Sequence, residues 1–223
     1  MRLNADFSER VVIRPDDYNW VNSPASGVDR MMLDRIGDEV ARATTIVRFA
    51  PDSYFDAHTH GGGEEYLVLD GVFSDESGDY PVGHYVRNPI GTSHKPHTKE
   101  GATILVKLFQ FTEEDQDQKA IDTRAAVFQP GAVPGLSVLP LHQTEDENVS
   151  LVRWEPGTKF TAHRHWGGAE MYVIEGSFQD EHGVYPAGTW IRSPHLSEHA
   201  PSSEEGALIY IKTGHLMPEA AAA

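Results

Sequence analysis

The chain of 223 residues contains no cysteine. That absence excludes disulfides, thiolate zinc sites, iron–sulfur clusters and cysteine nucleophiles together. Positive charge is scarce as well: 18 Lys and Arg stand against 34 Asp and Glu, a formal charge of −16. Such a surface repels phosphate backbones and anionic lipid, so neither a nucleic acid nor a membrane is expected as a partner. No long hydrophobic run occurs. The stretch Ala102 to Leu108 is interrupted by Lys107 and is far too short to span a bilayer. The first residues, MRLNADFSERVVIRPDD, have no apolar core of signal-peptide length, so a cytoplasmic protein is expected. There is no GxSxG elbow, phosphate loop or dinucleotide fingerprint, which leaves serine-hydrolase and nucleotide chemistry unsupported.

Histidine is plentiful, with 12 copies, and it is a common metal ligand. An internal repeat sorts these copies. The segment beginning at Val47 aligns without gaps to the segment beginning at Val152, an offset of 105 residues. Roughly 28 of about 62 aligned pairs are identical, which marks a duplication. Gly27-Val28 and Gly135-Leu136 suggest a common beginning, displaced by three residues. Short apolar runs alternate with Gly71, Gly83, Gly176 and Gly188 and with Pro81, Pro89, Pro186 and Pro194. This punctuation predicts short strands in a β sandwich or barrel. The expected organisation is an amino-terminal arm over 1–26, lobe 1 over 27–111, a linker over 112–126, lobe 2 over 127–217 and a tail over 218–223. In the linker, Thr112 and the acids after it predict one short helix. The arm is expected to cover a sheet edge or to reach a second subunit.

Six histidines repeat: His58, His60 and His94 in lobe 1, His163, His165 and His199 in lobe 2. Strand alternation turns the two members of each His-x-His pair to one side. Glu64 follows His60 through the Gly61-Gly62-Gly63 turn, and His94 lies on a later strand. A closed sheet brings these four side chains together, and three imidazoles with one carboxylate suit a divalent metal. In lobe 2 Ala169 takes the place of Glu64, and Glu170 stands one residue later. Alternation turns Glu170 away unless a bulge re-aims it. Lobe 2 is therefore expected to bind through three histidines, or three and Glu170, and more weakly than lobe 1.

Other repeated residues have structural readings. Arg87 and Arg192 are expected to pair with the acid pairs Asp75-Glu76 and Asp180-Glu181. Lys107 and Lys212 lie in apolar strands and call for a buried ion pair or a snorkelling position. Tyr66 and Val68 share the face of Glu64, and Met171 and Val173 that of Ala169, which predicts a largely apolar pocket with metal at its floor.

The pattern HxHx3Ex6G followed by Gx5PxGx2H, read in HTHGGGEEYLVLDGVFSDESGDYPVGHYVRNPIGTSHKP, resembles the two motifs of the cupins. Its wording is most similar to the ChrR-like cupin family, which takes its name from the carboxy-terminal domain of a zinc-binding anti-sigma factor. The resemblance implies a double-stranded β-helix barrel in each lobe, a bicupin, with metal held by His58, His60, Glu64 and His94. It implies zinc first, with iron(II), manganese or nickel as alternatives. It implies a regulatory module that senses a small molecule or redox state, or else an iron(II) dioxygenase acting on an acetophenone-like substrate. Sigma-factor binding is in doubt, because that role belongs to a helical domain with cysteine ligands. Cupins commonly dimerise, so a homodimer is compatible with the resemblance.

Overall fold

The structure, a computed structural model, describes residues 1–218. Apart from Pro218, the expected tail over 218–223 lies outside the described residues. Among the described residues the chain is all β, with one 3-10 turn at Pro15–Asp17. Among the described residues no helix is long and apolar enough to cross a membrane.

Two compact units form. Lobe 1 holds Met1–Ala5 and Asn19–Ala126, and lobe 2 holds Asp6–Tyr18 together with the chain from Val127 onward. In lobe 1 the main sheet runs Arg2–Leu3, Val28–Gly37, Ala41–Phe49, Ala102–Leu108, Glu64–Asp75, His84–Asn88, Lys119–Asp122. In lobe 2 it runs Gln129–Pro130, Leu136–Gln143, Asn148–Trp154, Ala207–Thr213, Ala169–Asp180, Trp190–Ser193, Val11–Ile13. Every pairing is antiparallel, and each lobe adds a two-stranded ladder that carries histidines.

The arm covers a sheet edge, as expected, and the linker supplies another. Residues 11–13 of the arm pair with Trp190–Ser193 in lobe 2, and residues 119–122 of the linker pair with His84–Asn88 in lobe 1. The repeat therefore extends further upstream than the offset of 105 reveals. Arg48 stacks on Trp20 at 4.3 Å and its counterpart Arg153 on Phe128 at 4.4 Å. The helix expected from Thr112 is absent. Its residues form tight turns, and the cross-strand partner of Lys119–Asp122 holds that part extended, a long-range interaction that overrides local propensity.

Alternate residues of the strands fill each barrel. Val28, Val47, Phe49, Tyr66, Val68 and Phe73 lead the core of lobe 1, with Phe49 and Phe73 at 5.1 Å. Trp154, Met171, Val173 and Phe178 serve lobe 2, with Trp154 and Phe178 at 5.7 Å. Each such side chain contributes about 1.5–3 kcal/mol through burial. Both long central strands bend at a glycine of positive φ, Gly71 and Gly176. A Cβ there would lie 2.1 Å from the Gly101 carbonyl oxygen and 2.0 Å from that of Gly206, so only glycine fits.

The buried charges also find partners. Arg87 pairs with Glu65 at 2.8 Å and with Asp115, and Tyr85 donates to the same Glu65 at 2.5 Å. Arg192 donates to the Asp6 carbonyl at 2.8 Å and lies 4.6 Å from the Phe7 ring. The expected pairing of these arginines with Asp75-Glu76 and Asp180-Glu181 is thus corrected: Arg87 faces Glu65 across the sheet at a register pair, and Asp75 and Asp180 point elsewhere. Lys212 forms a buried ion pair with Glu147 at 2.9 Å, and Lys107 donates to Thr44 at 2.9 Å.

Candidate metal centre

In lobe 1 the ladder between His58–Thr59 and Ser93–His94 sets His58 directly across from His94. His60 and Glu64 follow on either side of the glycine turn. At Gly63 φ is +75°, and a Cβ would fall 2.3 Å from the Phe111 ring, so the turn packs where a side chain could not. The result is a cluster in which one ligand atom from each of His58, His60, Glu64 and His94 lies within 4.8 Å of the others. Glu64 Oε1 is 3.5 Å from Nε2 of both His60 and His94.

The outer hydrogen bonds fix which ring nitrogen faces inward. His58 Nδ1 is 2.9 Å from the Asp56 carbonyl, and His94 Nδ1 is 3.3 Å from Asp75 Oδ2. Those oxygens only accept, so both Nδ1 atoms carry the proton. His60 Nδ1 is 2.9 Å from Thr92 Oγ1, whose own proton goes to the Pro89 carbonyl at 2.7 Å. The hydroxyl must therefore accept, and His60 Nδ1 is protonated too. All three Nε2 lone pairs are left for the centre, and those of His60 and His94 are buried without a hydrogen-bond partner. Burial, and then the neighbouring His94 and His58, hold the His60 pKa down despite the opposing charge of Glu64. Neutral imidazoles with inward lone pairs and a carboxylate fit a divalent cation, which would satisfy groups that are otherwise costly to bury.

Lobe 2 keeps the imidazoles and changes their surroundings. His163 lies across from His199, and ligand atoms of His163, His165 and His199 cluster in the same way. His163 Nδ1 meets the Thr161 carbonyl at 3.0 Å, and His199 Nδ1 lies 3.4 Å from Asp180. Nε2 of His165 and of His199 face each other at 3.0 Å. Burial, together with His199 and His163, pushes the His165 pKa down to about 3. Ala169 is fully buried where lobe 1 has Glu64. Glu170 lies outside the cluster. It accepts from Trp190 Nε1 at 2.8 Å and sits 3.2 Å from His215 Nε2. No bulge re-aims it: its strand shifts register only between Val173 and Glu175, so Glu170 keeps the outward side that alternation gives it.

Three supporting residues escape a reading of the sequence alone. Asp75 and Asp180 orient the third histidine of each lobe, and their repetition is the available signal. Burial raises the Asp180 pKa, but hydrogen bonds from His199 and Tyr185 outweigh this and bring it to about 2. Asn88 donates to Glu64 at 3.2 Å. Its repeat partner is Ser193, so the acid and the amide that holds it change together.

A cavity of about 660 Å³ opens beside the lobe 1 centre and is lined by His58, His60 and Glu64. Its apolar wall includes Val47, Phe49, Ile104, Val106 and Leu108, from strands beside the histidine-bearing segments. Tyr66 and Val68, expected as lining residues, instead pack in the barrel core. Burial first, and then the charge of Glu64, push the Tyr66 pKa up, and its hydroxyl has no partner.

Similar architectures occur among solved structures. A Nostoc punctiforme protein described as a "putative dioxygenase" is 12% identical with a TM-score of 0.75, over 95% of this chain and 85% of that one. Escherichia coli Ylba is 15% identical with a TM-score of 0.73, over 96% and 94%. Bacillus subtilis oxalate decarboxylase, in a variant form, is 16% identical with a TM-score of 0.59, over 91% and 76%. At these identities the likeness shows the cupin fold. No curated protein matches the sequence. The sequence profile of the ChrR cupin-like domain matches residues 8–112 and again 116–217. The chain belongs to this ChrR cupin-like family, as a bicupin with one copy of the domain in each repeat.

Proposed function

We propose that lobe 1 binds one divalent metal ion through His58, His60, Glu64 and His94 and oxidises a small organic molecule held in the adjoining cavity. The observation that carries this reading is the convergence of three inward imidazole lone pairs and one carboxylate on the wall of a 660 Å³ cavity, a size suited to a small-molecule site. The bound metal, iron(II) in this reading, would supply redox and Lewis-acid chemistry with dioxygen as the oxidant. The chain does the rest. Asn88 holds Glu64 in place, Asp75 and Thr92 keep His94 and His60 in one tautomer, and the apolar wall excludes water. Support from likeness is limited to the description of the Nostoc neighbour.

A second reading is favoured by lobe 2. Its three histidines lack an acid, and the family description is that of a ChrR-type domain. A zinc-bearing sensor, with metal in both lobes, would use such sites for stability and not for turnover. The two readings separate on metal content and oxygen uptake. Protein purified without chelator and handled anaerobically is analysed for metal, then exposed to dioxygen with acetophenone-like ketones and with aryl-substituted carboxylates. About one iron per chain with substrate-dependent uptake supports the oxygenase. About two zinc per chain with no uptake after iron reconstitution overturns it in favour of the sensor.

A further inference from the structure

The lobe 1 cavity is lined by two arginines, Arg30 and Arg35, together with the acids Glu39, Asp56 and Glu64 and the apolar side chains already named. Both stand on strand Val28–Gly37, across from Val47 and Ala43 of the neighbouring strand. Arg30 donates its two terminal nitrogens to the Glu39 carboxylate, at 3.1 and 3.4 Å, while its Nε is buried without a partner. The pair is unequal: the Arg30 side chain is 18% exposed and that of Glu39 68%. Arg35 is buried and donates to the backbone carbonyls of Asp38 and Glu39, which holds the turn that places Glu39 on Arg30. Burial, and then the charge of Arg30, push the Arg35 pKa down. The hydroxyl of Thr45, also on the cavity wall, is buried without a partner.

These cations are not needed to build the barrel. Aligned through the strand irregularities at Leu33 and Leu141, Arg30 corresponds to Val138, Arg35 to Gln143 and Thr45 to Ser150. Lobe 2 closes the same sheet without either charge. A chain of net charge −16 thus keeps two positive groups at one end of this cavity, where Glu39 alone pairs with Arg30 while Glu64 stands among the histidines and Asp56 is exposed.

We propose that the lobe 1 cavity binds an organic carboxylate with an apolar body. The carboxylate sits on Arg30 beside Arg35, in the place that Glu39 now occupies, and the body lies along Val47, Phe49 and Leu108 towards the histidines. The Arg30–Glu39 pair already displays the two-pronged geometry that guanidinium offers a carboxylate. Releasing exposed Glu39 to water costs little, because exposed ion pairs contribute little. Arg30 Nε and the Thr45 hydroxyl provide two further groups for the ligand to satisfy. The assignment deepens the oxygenase reading by naming its substrate class, but binding at Arg30 does not itself require metal.

The test uses the full chain, stripped with chelator, and two probes of one shape, 3-phenylpropionate and 3-phenylpropionamide, titrated calorimetrically. The acid is expected to bind at least about tenfold more tightly than the amide, as one lost charge-assisted pair implies. Arg30→Gln abolishes the preference. Glu39→Gln, an exposed change that leaves the fold intact, tightens binding of the acid several-fold. Equal affinity for acid and amide overturns the proposal, as does an unchanged affinity in Glu39→Gln. Because metal is absent from the titration, a chain that later takes up no iron yet prefers the acid loses the oxygenase reading and keeps this one.

Discussion

The two lobes hold the same three imidazoles on the same ladder and differ in nearly everything that would make those imidazoles useful. Lobe 1 surrounds them with Glu64, Asn88, Thr92 and Tyr66. Lobe 2 has Ala169, Ser193, Ser197 and Met171 at those places. Ser197, unlike Thr92, leaves its buried hydroxyl without a partner. Meanwhile the frame is shared between the halves: Gly71 and Gly176 at the bend, Asp75 and Asp180 behind the third histidine, Lys107 and Lys212 in the strand. The duplication therefore separates what the barrel needs from what a site needs. Residues common to both lobes maintain the fold or hold the histidines, and residues of lobe 1 alone give the centre its charge and the amide and hydroxyl that hold its ligands.

That comparison can be broken most directly at the acid. Glu64→Ala gives lobe 1 the ligand set of lobe 2, and its metal affinity is expected to fall at least about 100-fold, since a charge-assisted ligand bond is lost. Chelator competition measures it, and an affinity unchanged by the substitution would mean that the acid does not distinguish the lobes. The frame should respond alike in both halves. Gly71→Ala and Gly176→Ala each force a Cβ against a carbonyl at positive φ, so each is expected to cost about 2 kcal/mol or more in denaturant unfolding. A large cost in one lobe alone would show that the two bends are not equivalent.

Asp75→Asn tests the support behind His94. Loss of such an orienting carboxylate typically costs about 10–100-fold in metal affinity, and the same titration reads it. The smallest effect concerns acid. In metal-free protein the His165 pKa is about 3, against an ordinary value of 6.5. The folded state therefore binds fewer protons than the unfolded chain below pH 6.5, and stability falls as pH drops from there towards 3. For this one group the loss between pH 7 and 5.5 is about 1 kcal/mol. His165→Gln should flatten the slope measured by urea unfolding. The corresponding change at His60, where Glu64 opposes the downward shift, should flatten it less.

Much of this is legible in the sequence. The offset of 105 exposes the duplication, and the duplication selects six histidines out of twelve. Strand alternation correctly turns Glu170 away from His163. What stays hidden depends on contacts remote in sequence. A three-residue slip between the halves conceals the kinship of Val11–Ile13 with Lys119–Asp122, and with it the lobe to which each edge strand belongs. Local capping signals after Thr112 suggest a helix where an extended pairing prevails. Repetition offers Arg87 the repeated acids as partners, but its partner is Glu65, its neighbour across the sheet. The cavity wall comes from strands beside the histidine segments, so extending the register of Glu64 to Tyr66 and Val68 leads into the core.

The central claim, that lobe 1 holds the tighter metal centre because of Glu64, is tested most directly by chelator competition on His60→Ala and His165→Ala. The account predicts that His165→Ala retains a site of wild-type strength, whereas His60→Ala retains only a weak one. A tight site surviving in His60→Ala, with a weak one in His165→Ala, would contradict it.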